Sequence, residues 1–97
     1  MELSEIRPQI DAINKEMLRL FEERMALCKE VALYKQANGM EVFVPEREAA
    51  ILKWVEEAAS PELAAYAKAY FGAVLQLSRD YQNASLDRPA EETALVK

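Results

Sequence analysis

The sequence predicts an all-α fold: three helices of unequal length, one very long and two shorter, with a second copy of the chain covering the longest. Three observations predict it. Apolar residues recur in steps of three and four from Leu3 to Tyr34, at Leu3, Ile6, Ile10, Ile13, Met17, Leu20, Leu27, Val31 and Tyr34. That is a heptad seam, the mark of a helix packed lengthwise on another helix. Stop and start signals, Asn38-Gly39, Pro45 and Ser60-Pro61, then divide the remaining chain. No stretch alternates apolar and polar residues as a half-buried strand does.

Helix one is expected to begin near Ser4 as N-cap, with Pro8 early enough to be tolerated. It is expected to run to about Ala37 and stop at Asn38-Gly39. At about 1.5 Å per residue such a helix is roughly 50 Å long. The rest of a 97-residue chain cannot cover its apolar stripe, which is why a second copy is expected.

Met40 to Val44 forms a short connection, and Pro45 suits the first turn of helix two, which carries Ile51, Leu52, Trp54 and Val55 and fades at Ala58-Ala59. Ser60-Pro61-Glu62 combines a capping serine, a proline at the first position and an acid against the helix dipole. Helix three should start there, with an apolar stripe of Leu63, Ala67, Tyr70, Val74, Leu77 and Tyr81, widened by Phe71 and Leu75. From Ser85 the chain turns polar. Residues 1–84 are therefore expected to form one helical domain, and 85–97 a polar tail or linker.

Composition narrows the chemistry. The net charge of −5 argues against nucleic acid or an anionic membrane as partner. No apolar run is long enough to span a bilayer, and the first residues lack the pattern of a signal peptide, so a cytoplasmic protein is expected. The absence of histidine excludes Ser-His and Cys-His triads and most zinc sites. The single Cys28 is expected to be a buried thiol, and two glycines make no phosphate loop. Neither a metal nor a cofactor is expected. Chemistry is left to Arg, Lys, Glu, Ser and Gln.

Polar residues in apolar places show where that chemistry could sit. Arg24 occupies a seam position, where a guanidinium is costly unless an anion pairs with it. A coiled coil can also carry one polar seam residue to fix register. Arg24 and Lys35 are about 20° apart around the helix and roughly 16 Å apart along it, so both can lean on one small dianion. Arg7 lies some 25 Å from Arg24 along the axis and belongs to another chain's site if it serves one. Ser78 and Gln82 are one turn apart and continue the row of Phe71 and Leu75 into the bundle, while Arg47 and Glu48 fall in the first turn of helix two. This set holds excess positive charge, one carboxylate and two neutral hydrogen-bonding groups, which suits a small polycarboxylate.

These residues also carry a family pattern. Over roughly residues 3 to 84 the chain resembles the all-helical chorismate mutases, the AroQ class. The matching stretches are Ile6-Arg7-x-x-Ile10-Asp11-x-Ile13-Asn14, Leu20-x-x-x-Arg24, Val31-Ala32-x-x-Lys35, Val42-x-x-Pro45-Glu46-Arg47-Glu48 and Ser78-x-x-x-Gln82. The resemblance implies an intertwined homodimer whose long first helices span both active sites. It implies that Arg24 and the partner's Arg7 bind the two carboxylates of chorismate, with Arg47 supporting them and Ser78 touching one. Glu48 would accept the substrate hydroxyl, and Lys35 and Gln82, the catalytic pair, would donate to the ether oxygen. Many relatives carry aspartate where this chain has Val44; the backbone N–H expected to serve there survives that change. Two alternatives remain. An isochorismate pyruvate lyase shares the fold and the cationic cradle, though such relatives tend to lack the glutamate matching Glu48. A non-catalytic dimerisation or regulatory module of a shikimate-pathway enzyme would use the polar seam for register or effector binding.

Overall fold

The computed structural model describes residues 1–95, with side chains described through Leu86. In chain order they form α1 (Leu3–Ala37), α2 (Pro45–Ala58) and α3 (Ala64–Leu95), with no strand among the described residues. The all-α expectation with one very long first helix is met. The backbone of α3 runs on past Ser85, where the polar composition begins. Of the expected tail or linker, 85–97, the side chains of residues 87–97 lie outside the described residues.

Local signals account for most of the boundaries. The cap of α1 lies two residues before the expected Ser4. Glu2 takes the N-cap position, and its N–H donates to the carboxylate of Glu5 at 3.3 Å. That acid three residues on supplies the return bond of a capping box, which moves the start upstream of Ser4. At the other end Gly39 adopts φ +65°, a left-handed conformation that costs glycine little. The Met40 N–H then reaches Lys35 C=O at 2.8 Å and the Gly39 N–H reaches Gln36 C=O at 3.4 Å. These two bonds are a Schellman motif, and they end α1 where Asn38-Gly39 predicts. Pro45 is the first residue of α2, as expected.

Helix three differs from expectation in its start and in its buried face. Ser60 does not cap it directly. Leu63 N–H donates to Ser60 C=O at 2.9 Å in a separate turn, and the helix proper begins at Ala64. Val74, Leu75, Ser78 and Gln82 form the buried row, whereas Leu63, Tyr70 and Leu77 of the expected stripe are exposed.

The core within one chain is small. α1 and α2 each pack against α3 rather than against each other. Ala32, Val55, Val74 and Leu75 are its buried apolar residues, and Trp54 meets Phe71 edge to face at 6.3 Å. The seam of α1 stays uncovered, with Leu27 57% and Tyr34 64% exposed. The chain is correspondingly extended. Its radius of gyration is 17.5 Å, whereas a compact chain of this length has one of about 12–13 Å.

Candidate active site

All three helices and the α1–α2 connection contribute to one cavity, of about 170 Å³. Its polar wall comprises Arg24 and Lys35 from α1, Arg47 and Glu48 from α2, and Ser78, Arg79 and Gln82 from α3. Val44 stands at the rim as the N-cap of α2, and Val31, Ile51 and Leu75 supply apolar wall. Seven of the eight residues singled out from the sequence thus meet in one place. The eighth does not. Arg7 is exposed near the start of α1 and does not line the cavity of its own chain.

Each polar group is held by identifiable bonds. The Arg24 Nη1 donates to Ser78 Oγ and approaches Cys28 Sγ at 3.6 Å. Ser78 is 4% exposed, and its hydroxyl donates to Val74 C=O at 2.7 Å, one turn back on its own helix. Lys35 Nζ donates to Val42 C=O at 2.9 Å. One of its three protons therefore fastens the α1–α2 connection, leaving two for a ligand. Gln82 is 9% exposed, and its amide oxygen is buried without a hydrogen-bond partner. An unpaired buried acceptor costs about 1–3 kcal/mol, a cost that a bound donor removes.

Two contributors were not singled out from the sequence. Arg79 Nε lies 2.8 Å from Glu48 Oε2, but its N–H is not aligned for a hydrogen bond, so the contact is ionic. The same guanidinium sits over the Phe43 ring, 4.7 Å from its centre. Its signal was the helical angle: Arg79 lies about 60° from Gln82 on α3, close enough to share its face. Cys28, expected to be a buried thiol, is instead half-buried and lines the cavity beside Arg24, one turn earlier on α1.

Electrostatically the wall combines four cationic side chains with a single carboxylate. With Glu48 held by Arg79, the charges of Arg24, Lys35 and Arg47 remain for a ligand. Such a cavity attracts a dianion and can hold it at both ends.

The type II chorismate mutase family model matches residues 6–83. The chain belongs to that family. Among curated relatives, the T-protein of Haemophilus influenzae is 35% identical over 51 residues, which cover 53% of this chain and 14% of that protein. A bifunctional chorismate mutase/prephenate dehydratase of Aquifex aeolicus is 42% identical over 52 residues, 54% of this chain and 14% of that protein. The chorismate mutase of Methanocaldococcus jannaschii is 46% identical over 46 residues, 47% of this chain and 46% of that protein. The matched stretches thus span less than half the length of these relatives.

Proposed function

We propose that this chain is a chorismate mutase that converts chorismate to prephenate, working as a cytoplasmic homodimer in the formation of phenylalanine and tyrosine. The observation that carries this is the convergence of Arg24, Lys35, Arg47, Glu48, Ser78 and Gln82 on one cavity, in a chain of the type II family.

The chemistry suits this set of groups. The rearrangement breaks one C–O bond and makes one C–C bond within a single molecule, so no nucleophile or proton transfer is required. Arg24 and Arg47 bind carboxylate, and Glu48 accepts the ring hydroxyl. Holding the enolpyruvyl arm over the ring removes conformational freedom before the bonds change. C–O cleavage runs ahead of C–C formation, and negative charge grows on the ether oxygen. Lys35 and Gln82 donate there, so their bonds strengthen in the transition state. Val44 contributes its backbone N–H at the rim, where the side chain is not used.

The uncovered seam and the extended shape support the dimer. An apolar stripe running the length of α1 is expensive to leave in water. A second chain along it covers the stripe and brings a partner Arg7 toward the cavity, where it completes the carboxylate clamp. No helix among the described residues is long and apolar enough to cross a membrane.

Incubation with chorismate, and separately with isochorismate, tests the activity. Formation of prephenate is the expected result. Pyruvate released from isochorismate would make the chain a lyase, and no turnover of either would make it a non-catalytic module.

A further inference from the structure

We propose that Arg79 is a positioning residue that orients the Glu48 carboxylate toward the substrate hydroxyl; this rests on the mutase reading above. Glu48 is the one carboxylate among the described residues lining the cavity, and it shares that wall with Arg24, Cys28 and Lys35 of α1, Arg47 of α2 and Arg79 of α3. A carboxylate with no fixed partner in such surroundings turns to the nearest free cation. Pairing with Lys35 or Arg47 would neutralise a charge that the dianion needs and remove the acceptor for the hydroxyl.

Arg79 prevents that collapse by position. Its Nε stands 2.8 Å from Oε2, so Oε1 is the oxygen left to accept from a ligand. The guanidinium is fixed on its other side by the Phe43 ring at 4.7 Å. Phe43 lies in the connection that Lys35 fastens through Val42 C=O. Both partners are mostly shielded, with side chains 27% and 19% exposed, so water screens the pair less than it screens a surface ion pair. Glu48, which lines the cavity, is thereby held against α3 through Oε2. Val44 gives this more weight, because the rim supplies no second carboxylate to take over.

The test is a double-mutant cycle between Arg79→Ala and Glu48→Gln, read as kcat/KM on chorismate, with Arg79→Lys as the conservative variant. Arg79→Ala should lower kcat/KM by about tenfold or more in the native background and by less than about twofold in the Glu48→Gln background. Arg79→Lys should recover part of the loss, since it keeps the charge but not the planar contact with Phe43. Equal losses in both backgrounds, or no loss in the native one, would overturn the positioning role. Circular dichroism checks folding, and Arg79→Gln, which keeps much of the stem, runs the same cycle if the alanine variant does not fold. The native protein in the same assay separates the two ideas. Failure of the native protein to form prephenate defeats the mutase reading and this role with it, whereas native turnover unaffected at Arg79 defeats this role alone.

Discussion

Arg24 on α1 and Ser78 on α3 stand 54 residues apart in the chain and are joined by a hydrogen bond in the cavity wall. The hydroxyl proton of Ser78 is committed to Val74 C=O at 2.7 Å, so its oxygen is the acceptor for the guanidinium. Arg24 is therefore aimed before any ligand arrives. Arg24→Ala should lower turnover by on the order of 10²-fold or more, because on the proposed reading it removes the charge that pairs with a substrate carboxylate. Ser78→Ala leaves the cation in place and removes its support. It should destabilise the fold by about 1–3 kcal/mol and raise KM with less effect on kcat. Steady-state kinetics and denaturant titration of the two variants separate these effects.

Lys35 has a structural bond and a proposed catalytic role, and its substitution should reveal both. One proton holds Val42 C=O at 2.9 Å, and the proposed catalytic role would use the remaining two. Lys35→Ala should raise the barrier by about 3–4 kcal/mol, chiefly in kcat, as the loss of an oxyanion donor does. Loosening of the 40–44 connection should appear as faster amide exchange there. A variant that keeps most of its activity would remove Lys35 from the reaction.

The fold was legible where signals are local. The Schellman stop at Gly39 and the proline start at Pro45 depend on a few adjacent residues, and both are found where the sequence places them. The buried face of α3 was not legible in the same way. Periodicity shows that Leu63, Tyr70 and Leu77 form a stripe but not whether this chain covers it, and one chain leaves these residues exposed. Arg24, Lys35 and the Ser78–Gln82 pair could be placed in one cavity because helical arithmetic fixes their angles and heights. Arg79 escaped because a charged residue beside Asp80 resembles ordinary helix surface. Its direction is set by Glu48 and Phe43, which are distant in sequence.

Gln82 makes the pH dependence predictable. A neutral amide donates its N–H at any ordinary pH, so native activity should persist between mildly acidic and neutral conditions. Gln82→Glu reverses this. A carboxyl group donates only while protonated, so the variant should be most active in acid and lose activity as pH rises through its pKa. Rate profiles of both proteins check the sign. A steep loss of native activity on approach to neutrality would count against Gln82 as the donor.

Gly39 is predicted to matter for stability alone. Its φ of +65° is one that L side chains rarely adopt, yet an added Cβ would meet nothing within 4 Å. The cost of Gly39→Ala is therefore backbone strain without a clash, about 1–2 kcal/mol. Asparagine tolerates this conformation better and should cost less. Thermal unfolding of the two variants should rank them in that order, and an alanine variant as stable as the native chain would contradict the strain.

On the proposed reading Arg7 links the assembly to the reaction, and mixed dimers test that link directly. If each site takes Arg24 from one chain and Arg7 from the other, dimers of Arg7→Ala and dimers of Arg24→Ala should both be nearly inactive. In a hybrid of the two, one site lacks both arginines and the other has both. Random exchange makes half the dimers hybrids, each with one intact site of two, so the mixture should recover about a quarter of native activity. Recovery should require subunit exchange, and therefore time or mild denaturant. If both arginines came from the same chain, every site in a hybrid would lack one of them and mixing would restore nothing. Sedimentation analysis on the same samples should report two chains per particle, and a fully active monomer would refute the shared site.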